Sequence, residues 1–168
     1  MTQAVRTAIT LSVLGLVLVV ALVWGWSAAT EPLPGAADAP ICVREPIPAG
    51  TRVFPEEVTV SVYNAGTRDG LAGRTMQLFT DAGFAEGNSG NVKTGRSIGV
   101  AEFWTDDPTS PAVLLVASRL GPDVEIERRN PPGAGVVVVV GDEFSALVKG
   151  RRAVATDEDS EICSPPVS

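Results

Sequence analysis

The chain has 168 residues, which is enough for one compact domain and little more. It carries 13 Lys and Arg against 20 Asp and Glu, a net charge of −7, and it contains no histidine. The acidic balance argues against a nucleic-acid partner, which normally meets a basic surface, and the missing histidines remove the commonest general base and metal ligand.

The N-terminal segment has the composition of a membrane-spanning helix. Residues 8–26 contain no charged side chain and are almost wholly apolar, and their length as a helix nearly matches a hydrocarbon core of about 30 Å. Arg6 precedes this run and Glu31 is the first charge after it, so we expect residues 1–7 in the cytoplasm and the domain outside. The alternative is a signal peptide cleaved at the small residues 27–29, although the apolar run is longer than a usual signal core.

Residues 27–40 lack apolar periodicity and predict a flexible linker. The two cysteines, Cys42 and Cys163, lie at the two ends of the segment that follows. A cysteine pair outside the cytoplasm is most simply a disulfide, because a redox or metal role would require Cys-x-x-Cys spacing or histidine partners. We therefore predict a disulfide that ties back the acidic tail of residues 151–168, for which we expect no core of its own.

A strand and a helix are predicted directly after the lead-in segment. Valines alternate with Thr, Ser and Tyr over residues 58–65, which indicates a strand with one buried face. An apolar stripe predicts a helix over 71–82. Thr67 or Asp69 is the candidate N-cap of this helix, and Gly83 is placed to end it in the left-handed conformation.

The second half of the domain repeats the strand and helix patterns. A strand is predicted over 97–104, and a helix is predicted to start at Pro111, a residue type that favours the first helical turn. Alternation over 123–129 indicates another strand, and the five valines of 136–140 indicate a central strand buried on both faces. Residues 91–95 form a possible additional short strand.

Two helices are too few to cover both faces of such a sheet. For residues 41–150 we therefore predict an α/β fold, a two-layer sandwich in which two helices pack on one face of a mixed four- to five-stranded sheet. The predicted transmembrane helix precedes it.

The turn after the first strand is the strongest candidate for a ligand site. Its glycines, Gly66, Gly70 and Gly73, match neither the dinucleotide fingerprint nor the P-loop, and no phosphate-binding lysine follows them. They are most simply needed to turn the chain and start the helix. The alternative is an anion site, since free N–H groups at a helix start and arginine side chains bind phosphate or carboxylate. The candidate ligands are Asn64, Thr67, Arg68 and Arg74.

Other residues that carry chemistry have simpler explanations. The acidic pairs Asp106-Asp107 and Asp142-Glu143 adjoin predicted turns, where the helix dipole or solvent accounts for them. The serines have no histidine base, and the cysteines are expected to be paired. We therefore predict no catalytic residue, no metal site and no cofactor.

Several short motifs together resemble the LytR C-terminal domain family. They are a strand ending in VYNA, a helix start GLA, a helix end AGF and a valine-rich strand followed by GDEF, within about residues 42–148. In that family the domain often follows a LytR–CpsA–Psr phosphotransferase domain, for which we see no room here, and it has no established catalytic residues. The chain is similar to the stand-alone, membrane-anchored members of high-GC Gram-positive bacteria, which are linked to cell-envelope integrity.

The resemblance implies a non-enzymatic, extracytoplasmic module held in the cell membrane by a single span. Such a module would support envelope integrity by binding peptidoglycan or another envelope glycan, or by scaffolding envelope-assembly proteins. The alternative is an enzyme, or an accessory subunit, that acts on phosphorylated envelope glycans or lipids.

Overall fold

The computed structural model describes residues 3–30, 40–122 and 124–166, which fall into two compact units. The first unit is one helix, α1 (Gln3–Thr30). Within its segment Gln3–Ser27 a stretch of 18 residues has a mean hydropathy of 2.5, so the helix is long and apolar enough to cross a membrane. The predicted linker over 27–40 lies mostly outside the described residues, and its first residues, through Thr30, continue the helix.

The second unit consists of short strands and two helices. In chain order they are β1 (Val43–Ile47), β2 (Arg52–Val53), β3 (Thr59–Asn64), α2 (Leu71–Asp81), β4 (Ala85–Asn91), β5 (Ala101–Thr105), α3 (Pro111–Ala117), β6 (Val124–Arg128), β7 (Val136–Val140), β8 (Val154–Ala155) and β9 (Ser160–Ser164). A short 3-10 helix, Pro55–Glu57, precedes β3.

Five of these strands form one mixed sheet in the spatial order β4-β3-β7-β5-β6. β3 is parallel to both β4 and β7, whereas β5 is parallel to β6 and antiparallel to β7. Each helix connects two parallel strands, α2 between β3 and β4 and α3 between β5 and β6. The predicted α/β fold with a mixed sheet is therefore confirmed.

The valine run of β7 is buried on both faces of the sheet, as predicted. Val138 packs in the main core with side chains of α2 and α3, including Phe79 and Leu115, which have no exposed surface. Val137 and Val139 point to the opposite face, where they pack with Trp104 and Ile98. The two helices thus cover one face, and loop residues around Ile98 cover the other.

The fourth strand lies earlier in the chain than we predicted. β4 covers Ala85–Asn91, whereas the expected short strand was 91–95. Its sequence of Gly, Ser and Asn has no apolar alternation, because it is an edge strand with half-exposed side chains. Glycine is needed within it, since a Cβ on Gly87 would lie 2.8 Å from the carbonyl oxygen of Val60.

The helix ends also differ from expectation in part. Gly70, with φ of 69°, is the N-cap of α2, and neither Thr67 nor Asp69 caps it with a side chain. The Thr67 hydroxyl bonds elsewhere, as described below. Gly83 ends this helix with φ of 94°, as predicted, because glycine adopts this left-handed conformation without steric cost.

The C-terminal tail is part of the domain core. β9 pairs antiparallel with β1, and β8 pairs antiparallel with β2. The tail side chains Val154 and Ile162 are 6% and 4% exposed and belong to the main hydrophobic core. The predicted disulfide between Cys42 and Cys163 is present, so it reinforces a strand pairing rather than holding an otherwise separate tail.

Candidate functional site

The turn after β3 is held by a carboxylate from a distant part of the chain. Asp142, just after β7, accepts hydrogen bonds from the backbone N–H groups of Thr67 at 2.8 Å and of Arg68 at 3.2 Å. The Thr67 hydroxyl donates a third bond to this carboxylate at 3.2 Å. β3 and β7 are parallel neighbours, so the turns that follow them meet at the same end of the sheet, where both strands terminate. We call residues 64–68 and 142–144 together the clasp.

Arg68 and Asn64 complete the clasp. The Arg68 guanidinium donates to the backbone carbonyls of Asp142, at 3.2 Å, and of Phe144. Asn64 is 5% exposed, accepts a bond from the N–H of Gly66 at 2.9 Å and donates to the carbonyl of Arg68 at 2.9 Å. A Cβ on Gly66 would lie 2.7 Å from Cγ of Asp142, so only glycine permits this approach.

The candidate anion site therefore has a partner within the chain. The N–H groups of Thr67 and Arg68 are bonded to Asp142, and the Arg74 guanidinium donates to the carbonyl of Asp69 at 2.8 Å. An external anion would have to displace the Asp142 carboxylate, which would also repel it. Anion binding by Asn64, Thr67, Arg68 and Arg74 stays a prediction.

A cleft of about 710 Å³ opens at the other end of the sheet from the clasp, where β3 and β7 begin. Its walls include the first residues of β3 and β7, the turn after β5 and the strand β9. Its charged lining is unbalanced, since four carboxylates face one cation, Arg44. The carboxylates are those of Asp106, Asp107, Asp159 and Glu161.

Two hydroxyl groups in the cleft wall have no hydrogen-bond partner among the described residues. They are Oγ1 of Thr59 and Oγ of Ser160, and both atoms are buried. A buried polar group without a partner costs about 1–3 kcal/mol. A ligand group or an ordered water that reached either hydroxyl would recover that cost.

The carboxylates of the cleft differ in how many hydrogen bonds or ion pairs they already form within the chain. Asp107 accepts two bonds from Thr109, from its N–H at 3.1 Å and from its hydroxyl at 2.8 Å. Asp159 accepts one bond from the N–H of Ala49 at 2.9 Å. Glu161 lies 3.6 Å from the guanidinium of Arg44 in an exposed ion pair. The cleft thus keeps free acceptor capacity for a ligand that donates hydrogen bonds.

A separate polar cluster lies on the sheet face away from the helices. The Glu102 side chain is 4% exposed and forms an ion pair with Arg96, which is 51% exposed. Arg96 also lies 3.3 Å from Glu125 and 3.5 Å from Glu127. These carboxylates, Glu102 foremost, raise the pKa of Arg96. The cluster ties the loop that carries Arg96 to β5 and β6.

Trp104 is enclosed in the same cluster. Its indole N–H donates to Glu102 at 3.1 Å, the residue is 3% exposed, and the guanidinium of Arg129 lies 3.9 Å from the ring centroid. The ring face is therefore covered by a cation within the chain, in a geometry typical of cation–π contacts. Trp104 acts in packing and offers no open surface on which a sugar could stack.

Sequence reasoning missed the cleft. Its carboxylates come from the turn at Asp106 and from residues 159–161, which belong to the acidic tail for which we predicted no core. The pairing of β1 with β9 brings these segments together, and the cysteine pair is the one signal that pointed to this proximity. Within the described ranges, no group of three or more His, Cys, Asp or Glu side chains is arranged to hold a metal ion.

The comparison with family models decides the family of this domain. A model described as LytR cell envelope-related transcriptional attenuator, LytR_C, matches residues 57–144, just over half of the chain. The chain belongs to the LytR C-terminal domain family. Neither the curated proteins nor the solved structures gave a match.

In this LytR C-terminal domain the recurring motifs have a structural explanation. The VYNA motif supplies Asn64, the GDEF motif supplies Asp142 and Phe144, and the clasp joins the two. Both lie inside the matched residues 57–144. The family is generally a non-catalytic accessory domain of the cell envelope, and the apolar helix α1 is compatible with a membrane anchor.

Proposed function

We propose that this protein is a membrane-anchored, extracytoplasmic, non-catalytic module that supports cell-envelope integrity by binding a cell-wall component in the acidic cleft. α1 provides the anchor, with the N-terminus in the cytoplasm. The disulfide and the envelope family support a domain outside the cytoplasm. The observation that supports the binding role is the cleft itself, a polar concavity of about 710 Å³ at the other end of the sheet from the clasp.

The charge of the cleft selects among envelope ligands. A phosphorylated glycan or lipid would meet the carboxylates of Asp106 and Glu161 with Arg44 as the one cation in the lining. The negative charge of the phosphate and those of the carboxylates would repel each other. A peptidoglycan fragment instead offers hydroxyl, amide and amine donors, which suit the carboxylates of the cleft. The cleft therefore favours peptidoglycan over a phosphate-bearing substrate.

The same features weigh against an enzyme. The sequence has no histidine to serve as a base, and both cysteines are in the disulfide. Asp107, the carboxylate in the cleft nearest to a helix start, is already bonded twice to Thr109. A scaffolding role toward envelope-assembly proteins is the second candidate, since the edges of the five-stranded sheet at β4 and β6 have no partner strand among the described residues.

Cosedimentation of the full chain in detergent micelles with insoluble purified peptidoglycan tests the binding role. Asn130 is exposed and lines the cleft, so Asn130→Trp should fill part of the cleft and reduce the retained fraction. Asn91 is exposed at the end of β4, and Asn91→Trp is the matched control. Equal retention of both variants and the wild type would reject the cleft as the binding site.

A further inference from the structure

One surface of the domain is basic although the chain as a whole has a net charge of −7. Residues 144–155 contain Lys149, Arg151 and Arg152 and no acidic side chain. All three cations are exposed, and Arg119 at the end of the α3 segment lies beside them. We call Arg119, Lys149, Arg151 and Arg152 the basic face.

The basic face has a fixed geometry. The N–H of Val148 donates to the carbonyl of Arg119 at 2.7 Å, and the N–H of Arg151 donates to the hydroxyl of Ser118 at 2.9 Å. The Arg119 guanidinium donates to the carbonyl of Arg151 at 3.2 Å. Gly150 sits so close to the helix end that a Cβ would lie 2.5 Å from the Ser118 hydroxyl. These contacts hold the segment by its backbone, and within the described ranges no hydrogen bond or ion pair engages the side chains of Lys149, Arg151 and Arg152.

Carboxylates do not neutralise these cations. In the parts of the chain that the structure describes, the ion pairs involve Arg44 and Arg96 and no residue of the basic face. Three exposed cations beside the half-buried Arg119 produce a local positive potential, which attracts an anionic surface despite the negative net charge.

Exposed apolar side chains lie among the cations. Leu114 is 42% exposed and Val148 is 49% exposed. Leu114 is four residues before Ser118 on the same helical face, and Ser118 binds Arg151. Val148 is bonded to Arg119 through its backbone. Lysines and arginines around apolar side chains are typical of surfaces that enter the headgroup region of a bilayer.

We propose that the basic face docks on anionic phospholipid headgroups of the membrane in which the protein is anchored. The nine residues 31–39 separate α1 from Pro40, and a fully extended chain of that length reaches about 30 Å. The bilayer surface is therefore within reach of the domain at high effective concentration. An anionic membrane is the favoured partner because the apolar side chains add to the charge, whereas a soluble polyanion would use the charge alone.

Docking in this way would leave the proposed cleft accessible. Ala112 and Val113, at the first turn of α3, line the cleft, while Ser118 and Arg119, just beyond its last turn, carry the basic face. The two surfaces thus lie at opposite ends of one short helix. The docking proposal does not depend on any ligand of the cleft.

Hydrogen–deuterium exchange of the full chain in nanodiscs tests the proposal. We expect slower exchange of amides 145–152 in nanodiscs that contain phosphatidylglycerol than in pure phosphatidylcholine, with the difference lost at high ionic strength. Arg151→Gln/Arg152→Gln should lower the docking equilibrium constant about thirtyfold, because each cation near an anionic surface contributes about fivefold. The main-chain contacts of Arg151 are retained in this variant, and unchanged exchange of β7 would show that the fold is intact.

The matched control removes two cations elsewhere. Lys93 and Arg128 are exposed, and Lys93→Gln/Arg128→Gln should preserve the lipid-dependent protection. Equal exchange of residues 145–152 in both lipids would overturn the proposal. Protection by added soluble polyphosphate, but not by phosphatidylglycerol, would also overturn it and would assign the basic face to an anionic polymer.

Discussion

Replacing Asn64 by alanine removes the side chain at the centre of the clasp. Asn64 is 5% exposed and makes two hydrogen bonds of 2.9 Å, one from the N–H of Gly66 and one to the carbonyl of Arg68. In Asn64→Ala the N–H of Gly66 loses its partner, and the carbonyl of Arg68 keeps only the longer bond, 3.4 Å, from the N–H of Leu71. The turn that positions Thr67 and Arg68 against Asp142 is then less well stabilised, so the hydrogen bonds of the clasp should weaken together.

The expected cost follows from these two bonds. Each contributes about 1–1.5 kcal/mol net, so Asn64→Ala should lower the free energy of unfolding by about 2–3 kcal/mol. For a domain of this size that corresponds to a melting temperature roughly 6–12 °C lower. Near-UV circular dichroism of the full chain in detergent follows the melting, because Trp104 is buried and α1 contributes little tertiary signal of its own.

Two further variants make the reasoning refutable. Asn64→Asp keeps the acceptor for Gly66 but places a buried carboxylate oxygen against the carbonyl oxygen of Arg68, so at neutral pH it should melt no higher than Asn64→Ala. Asn91, the exposed register partner of Asn64 on β4, is the control, and Asn91→Ala should melt like the wild type. A change below about 0.5 kcal/mol in Asn64→Ala would show that the clasp does not stabilise the fold.

Three other predictions concern the disulfide, the buried carboxylate and the clasp anion. Cys42→Ser/Cys163→Ser should lose up to about 4–5 kcal/mol in denaturant unfolding, because the bond closes a loop with a sequence separation of 121; wild-type midpoints in the variant would contradict this. Arg96→Met should leave the buried carboxylate of Glu102 without its cation, so this variant should melt at a lower temperature than the wild type at neutral pH. Thermal melting of the two proteins at neutral pH measures this loss, and equal melting temperatures would contradict the prediction. Asp142→Ala should free the N–H groups of Thr67 and Arg68, so inorganic phosphate, followed by ³¹P NMR, should bind this variant more tightly than the wild type; equal affinity would contradict the displacement argument.

The parts of the fold with strong apolar periodicity were predictable. The alternation before Asn64 and the valine run of β7 each indicated a strand, and β7 is buried on both faces as predicted. For β3 the predicted single buried face was wrong, because Thr59 and Ser61 on its other face are also fully buried. The two helices were also found, and α3 starts at Pro111 as predicted. These apolar patterns are readable in the sequence because they reflect which side chains pack in the core.

The features without such a pattern were missed. β4 is an edge strand of small polar residues, and its pairing with β3 depends on backbone bonds that leave no apolar signature. The tail joins the core through the single side chains Val154 and Ile162 within otherwise acidic sequence. The cleft and the clasp each combine residues far apart in the chain, so their geometry could not be read from spacing along the sequence.

The most direct test of the proposed function is to map where soluble muropeptides bind the full chain. Hydrogen–deuterium exchange with and without added muropeptides reports on every segment at once. Binding in the cleft predicts slower exchange of residues 105–110 and 130–136, and unchanged exchange of the clasp residues 64–68. Protection of the clasp without the cleft, or no protection at saturating muropeptide, would contradict the proposed cell-wall-binding role of the cleft.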